Sequence, residues 1–220
     1  MLIHVLMIDD HPSQIEGYRT ILEYNQSGHQ IDVTAAYSCR TAYSIISDPI
    51  NATRFDIVFL DYSLPPYPEQ NIKTGLDLAT LLKKNMPETK IVILTSHSEA
   101  FLLYNIIKSA EPAGLLVKCD FNADDLLLAF DKVLNEETCY SETVKAGLKE
   151  LLSREQYLDR YNRQIIVLLA QGIKTKHIPN HLNLSISAVE KRKVQIKEYL
   201  GIDKGSDEDI VYEAKRLGFI

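Results

Sequence analysis

The sequence has no tryptophan and only three cysteines among its 220 residues. Cys39, Cys119 and Cys139 are odd in number, and no two stand in a CxxC spacing. That pattern excludes a disulfide framework and a zinc ribbon, and it fits reduced thiols in a cytoplasmic protein. Long apolar runs are missing too. None approaches the roughly 20 residues that cross a bilayer, so no membrane partner is expected. The opening MLIHVLMIDDHP lacks a basic stretch before its apolar run and meets acids at once, which predicts no signal peptide. Internal repeats and low-complexity segments are also absent.

What is present is an ordinary globular composition, 45% hydrophobic and 25% charged, long enough for one or two cores. The net charge of −6 is unevenly spread. Residues 1–151 hold 12 Lys+Arg against 21 Asp+Glu, whereas residues 152–220 hold 12 against 9. An acidic front and a mildly basic tail predict two domains with different partners.

The front alternates apolar runs with amphipathic segments. IHVLMI, IDVTAAY, FDIVFL, KIVILT and GLLVK read as strands. Segments 13–25, 38–47, 75–86, 98–110 and 122–135 read as the helices between and after them. Five β-α units imply a flavodoxin-like (βα)5 fold, a doubly wound parallel sheet in the order 2-1-3-4-5. Residues 1–135 would form this domain and polar residues 136–153 a linker. From 154 to 220 strand signals vanish, and four short helices read as a small all-α domain, with Gly172 and Gly201 where helix C-caps belong.

Asp61, at the end of FDIVFLD, is the residue a buried strand should avoid. In a parallel sheet, ligands gather beyond the carboxyl ends of the strands. Asp9 and Asp10 follow strand one, beside strand three. Three converging carboxylates repel one another, and a hard cation such as Mg²⁺ relieves this. Thr95 ends strand four and Lys118 strand five. Singly each has an ordinary explanation: an Asp after a strand caps the next helix, and a strand-end Lys meets solvent. Jointly they suit phosphoryl transfer to a carboxylate, with Asp61 as nucleophile and Lys118 and the metal neutralising phosphoryl oxygens.

With MIDDHP, FLDYSLP, ILTSH and GLLVK the front resembles a receiver domain of the bacterial two-component response regulators, over residues 1–135. The resemblance implies that Asp61 is the phosphoacceptor and a sensor histidine kinase the partner. It implies that Asp10 and Asp61 ligate Mg²⁺ with the backbone carbonyl of Ser63, that Asp9 acts through water, and that Thr95 and Lys118 hold and report the phosphoryl group. Two departures stand out. Leu115 replaces the aromatic half of the family's switch. The segment PYPEQNIKT separates Pro65 from Gly75, an insertion expected to be an ordinary surface loop.

The tail TKHIPNHLNLSISAVEKRKVQIKEYLGI reads as helix–turn–helix. Ile178 and Leu182 face inward. Ser185 or Ser187 can cap the second helix, where Val189, Ile196 and Leu200 form the core stripe. Ser187, Glu190, Lys191, Val194 and Lys197 face away. Six Lys/Arg (174, 176, 191, 192, 193, 197) against Glu190 give a basic patch for DNA phosphates. LLAQGIKTKHI, LSISAV, IKEYLGI and EAKRLGFI resemble the LuxR/NarL-type DNA-binding domain. That resemblance implies a recognition helix near 187–200, base-facing Glu190, Lys191 and Val194, phosphate contacts from residues such as Lys174, Lys176, Ser187 and Lys197, and homodimers on paired half-sites. Glu190 and Val194 depart from the family's basic or polar choices. Lys193 stands where it buries an aliphatic side chain, and is expected to snorkel.

The expected function is therefore a response regulator, phosphorylated on Asp61, that controls transcription through its tail and is not a turnover enzyme. The alternative is an interaction protein with a receiver and weak or lost sequence-specific DNA binding. A covalent phosphatase is disfavoured because position 63 is Ser where a DxD acid belongs. A metalloprotease is disfavoured because HIPNH, with His177 and His181, lacks the Glu of HExxH.

Overall fold

Parallel strands form on the five apolar runs: β1 (Leu2–Ile8), β2 (Gln30–Ala36), β3 (Ile57–Asp61), β4 (Lys90–Thr95) and β5 (Gly114–Val117). The computed structural model describes residues 1–154, 158–202, 205–216 and 219–220, without the side chains of 150 and 152–154. Residues 155–157, at the start of the expected second domain, lie outside the described residues, as do Leu217 and Gly218 of EAKRLGFI. β3 and β5 are buried along their whole length, as strands covered on both faces must be. β2 lies at the sheet edge and exposes Gln30 and Asp32.

Between the strands run α1 (Pro12–Glu23), α2 (Cys39–Ser47), α3 (Gly75–Asn85), α4 (Ala100–Ala110) and α5 (Ala123–Leu134). Local chemistry sets their starts. Ser38 accepts from the Thr41 amide. Thr74 with Asp77, and Asn122 with Asp125, each form a reciprocal capping box. One face of the sheet packs Val5, Met7, Phe59, Val92, Leu94 and Leu116 against α1 and α5, with Ile15, Leu22, Leu126 and Phe130 between them. Residues of the opposite parity, such as Leu6, Leu60, Ile93 and Leu115, are buried on the other face.

The sheet order is β2-β1-β3-β4-β5-β6, the expected doubly wound order with a sixth strand added. β6 (Cys139–Tyr140) lies inside the segment read as a linker and pairs parallel with β5, Leu115 opposite Tyr140. The Cys139 amide donates to Ala113 O at 2.9 Å and the Ser141 amide to Leu115 O at 3.1 Å. Two residues are too few to show a strand period, so the polar composition concealed this edge. α6 (Glu142–Arg154) follows.

The chain divides into two compact units, Met1–Glu99 with Leu103–Gly147, and Leu148–Ile220 with Ala100–Leu102. Among the described residues the second unit holds helices and no strand: α7 (Arg160–Ala170), a 3-10 turn (Thr175–His177), α8 (Ile178–Leu182), α9 (Ile186–Leu200) and α10 (Asp207–Arg216). Its core gathers Ile165, Ile166, Ile178, Val189, Ile196, Leu200 and Ile210. Asn183, at φ 53°, turns the chain between α8 and α9. Gly201, at φ 71°, ends α9 in the left-handed conformation glycine adopts without strain. Pro179 lies in the first turn of α8, where the missing N–H is harmless. Among the described residues no helix is long and apolar enough to cross a membrane.

Candidate functional site

A parallel register delivers the strand ends to one edge. Ile8 pairs with Leu60, Asp61 with Leu94 and Thr95 with Val117. Asp9, Asp61, Thr95 and Lys118 therefore emerge side by side. Lys118 Nζ donates to Asp9 Oδ2 at 2.8 Å and lies 3.2 Å from Asp61 Oδ1. Asp9 Oδ1 accepts from the His11 amide at 2.8 Å and faces His11 Nδ1 at 3.1 Å. Both Asp9 oxygens are thus held by protein groups.

Burial pushes the Asp61 carboxyl up, Lys118 pulls it down and Asp9 pushes it up again, leaving it above its ordinary value. For Lys118, burial works against the charge, but the hydrogen bond to Asp9 and the charges of Asp61 and Asp9 prevail and its pKa is raised. The ammonium therefore persists at neutral pH. Such a lysine can neutralise an anion beside Asp61 without itself losing a proton.

Asp9, Asp10, His11 and Asp61 each offer a ligand atom within 4.8 Å of the others. Asp10 Oδ1 and Asp61 Oδ1 are buried without a hydrogen-bond donor. The His11 ring lies 3.1 Å from Asp10 Oδ1 and the Lys118 ammonium 3.2 Å from Asp61 Oδ1, neither in hydrogen-bond alignment. Buried, under-satisfied carboxylate oxygens suit a hard cation that takes oxygen ligands. Ser63, two residues on, is exposed, and its backbone amide helps to lower the Asp61 carboxyl.

Thr95 is fully buried, and its hydroxyl accepts from the His97 amide at 3.0 Å. A hydroxyl that accepts there can still donate to an oxygen in the pocket. The His97 ring stands edge-on to Tyr62, centroids 5.5 Å apart. Leu115 is fully buried in β5, three positions before Lys118, and is not one of the groups at the strand ends.

The insertion after Pro66 is an ordered, closed loop. Tyr67 and Ile72 exchange both amide hydrogen bonds, at 2.8 and 3.1 Å. Its flank docks on α2: Arg40 pairs with Glu69 at 3.0 Å and lies over the Tyr67 ring, and Tyr43 meets Tyr67 edge-on. Closing the loop returns the chain to Gly75, whose amide donates to Tyr62 O. A side chain at Gly75 would run into the Asp61 carbonyl. Sequence reasoning missed that contact and the part of His11. The signal for His11 was its place in MIDDHP.

In the helical unit Ser185 caps α9, accepting from the Ala188 amide at 3.2 Å, and Ser187 hydrogen-bonds to Ser185. Lys174, Lys176, Ser187, Glu190, Lys191 and Val194 are exposed, Val194 at 55%. The other three cations of the basic patch are engaged internally. Arg192 donates to Asp159 at 2.6 Å and to Asn162 at 2.9 Å, over the Tyr161 ring. Lys197 donates to Gly205 O at 2.6 Å. Lys193 does not snorkel: it is buried, 2.7 Å from Asp207 and 2.9 Å from the Thr175 hydroxyl. The corrected surface is less basic than a count of residues suggests, because a count cannot see which cations fold inward. His177 and His181 are both exposed, the first just before the five-residue α8 and the second within it.

The model of the response regulator receiver domain matches residues 5–131. The oxygen regulatory protein NreC of Staphylococcus epidermidis (strain ATCC 12228 / FDA PCI 1200) is 27% identical over 96% of this chain and 97% of its own length. NreC of Staphylococcus aureus (strain NCTC 8325 / PS 47) is 28% identical over the same shares. Among solved structures, the Salmonella typhimurium RcsB response regulator is similar, with a TM-score of 0.62 and 21% identity over 97% of this chain and 99% of that one. The two-component response regulator RcsB in a DNA complex gives a TM-score of 0.63 and 20% identity over 98% of each chain.

Proposed function

The chain belongs to the response regulator receiver family, and from that premise we propose that it is a phosphorylation-gated transcription regulator of the NarL/LuxR type. In this reading residues 1–135 are the receiver, 136–153 connect, and 154–220 bind double-stranded DNA as a homodimer in the cytoplasm. The observation that carries it is the meeting of Asp61 with Asp9, Thr95 and Lys118 at the strand ends of a chain that also holds a helix–turn–helix.

Asp61 accepts the phosphoryl group from a phosphohistidine of a sensor kinase. A carboxylate oxygen of Asp61 attacks phosphorus, the P–N bond breaks as the P–O bond forms, and the imidazole leaves. Lys118, charged at neutral pH, faces the added negative charge. The Thr95 hydroxyl donates to a phosphoryl oxygen. Asp10, Asp61 and the Ser63 carbonyl would hold Mg²⁺, with Asp9 acting through water, and the ion would supply positive charge beside the phosphoryl oxygens. The added charge at Asp61 must favour one state of the chain over the other, or no signal passes.

In the tail, Lys174, Lys176 and Ser187 make phosphate contacts, which position without specifying, while Lys191 faces the bases. Lys197, tied to Gly205, contributes charge from one layer deeper. Glu190 accepts from a cytosine amino group and Val194 touches a thymine methyl. That the neighbouring RcsB structure is a DNA complex supports this use of the helices. The inward engagement of three cations favours a second reading, an interaction protein without sequence-specific binding. Selection of random duplex at low salt, with and without an acyl-phosphate donor and Mg²⁺, separates the two. Enriched sequences whose affinity rises on phosphorylation are expected. No enrichment supports the second reading, and unchanged affinity refutes the gating.

A further inference from the structure

A buried lysine in the middle of a recognition helix is a physical anomaly that demands a partner. Lys193 has three. Asp207 Oδ1, at the start of α10, lies 2.7 Å from Nζ, and the Thr175 hydroxyl, at the start of the 3-10 turn before α8, lies 2.9 Å away. Thr175 in turn donates to Asp207 Oδ2 at 2.7 Å. Burial alone would raise the Asp207 carboxyl, but hydrogen bonds from Lys193 and Thr175 and the charges of Lys193 and Lys197 hold it low. The pair is therefore ionised and ties three elements to one point. The third partner is Glu190 Oε2 at 3.5 Å, one turn back on the exposed face of α9.

Glu190 is the residue that fits a DNA-facing helix worst, because a free carboxylate repels phosphate. An acid anchored to a buried ammonium behaves differently. Its charge is offset from within, and one of its oxygens lies 3.5 Å from that ammonium, which narrows where the exposed side chain ranges. A carboxylate fixed in that way is an acceptor suited to the exocyclic amine of cytosine, the one base edge that offers only a donor in the major groove. Lys193 has a side chain only 10% exposed and cannot itself reach a phosphate while it holds these partners.

We infer that Lys193 is a positioning residue that fixes Glu190 as the base-reading carboxylate of α9, selecting cytosine at the base pair it faces. The inference rests on the DNA-binding reading and names the specificity that reading leaves open.

The test is a selection of random duplex by the full chain, followed by binding measured against salt. Wild type enriches a site with one strongly preferred cytosine per half-site. Glu190→Gln loses that preference by roughly ten-fold. Lys193→Met combined with Asp207→Asn removes the pair without stranding a buried charge. It loses the same preference at the same position while keeping its slope of log affinity against log salt. Lys176→Gln, by contrast, lowers that slope by about 1 and keeps the preference. Should the double variant retain the cytosine preference, or lower the slope as Lys176→Gln does, the inference is overturned while the DNA-binding reading stands. Absence of any enriched site with wild type overturns both.

Discussion

A Cβ at position 75 would run into the Asp61 carbonyl and lie 3.0 Å from both Asp61 C and Tyr62 Cα, with backbone on every side. Nothing there can rotate away. Gly75→Ala is expected to destabilise the first unit by about 1–3 kcal/mol, as overpacking does, and to slow phosphorylation because the strand carrying Asp61 must shift. Chemical denaturation and incorporation from an acyl-phosphate donor measure the two effects. Asp61 itself sits in a costly place: burial and Asp9 raise its carboxyl above the ordinary value despite Lys118. Asp61→Asn should therefore abolish phosphorylation and yet raise the thermal midpoint of the metal-free protein by a few degrees. A lowered midpoint would show that the Lys118 contact outweighs desolvation.

At the level of elements, short polar contacts decide what periodicity cannot. β6 stays on the sheet because Ser141 Oγ accepts from the Val117 amide, and Asp120 accepts from the Thr143 amide at 2.7 Å and its hydroxyl at 2.9 Å. Asp120 lies two residues after Lys118, so the start of α6 is bonded to the strand end that carries the site. Asp120→Ala should cost about 1 kcal/mol, like a lost helix cap, and speed amide exchange at 139–143 before it affects β4. In the second unit, α9 is bonded to α7 through Arg192 and Asp159, and to α10 through Lys193 and Asp207. Burial would raise both carboxyls, but hydrogen bonds from the cations and nearby donors hold them below the ordinary range. Their folded pKa lies below the unfolded value of about 3.9, so the folded unit binds fewer protons. The stabilisation is complete above about pH 4 and is lost as pH falls through the folded values. Circular dichroism on acidification should show helix loss there, and Asp159→Asn with Asp207→Asn should flatten that limb.

For the whole molecule, the acidic front and mildly basic tail hold two separate cores. Mg²⁺ should slow amide exchange at 9–11 and 61–63 and raise the stability of the first unit alone, by about 2.7 kcal/mol at one hundred times its dissociation constant. Equal protection in both units would place the cation elsewhere. The sequence by itself determined the doubly wound sheet and the convergence of Asp61, Asp10, Thr95 and Lys118, because apolar runs, their order and the residue ending each run are all local. Ser38, Thr74, Asn122 and Asp159 cap helices for the same reason. Only the tertiary structure decided the rest. β6 has no period to read, Gly75 matters through a contact with a residue 14 positions away, and the loop after Pro66 has its Tyr67 and Glu69 held by Arg40, from a distant part of the chain. The basic patch is the sharpest case. Charge is countable in sequence, but whether an ammonium meets solvent or a buried Asp207 depends on which elements pack around it, and that is a property of the fold.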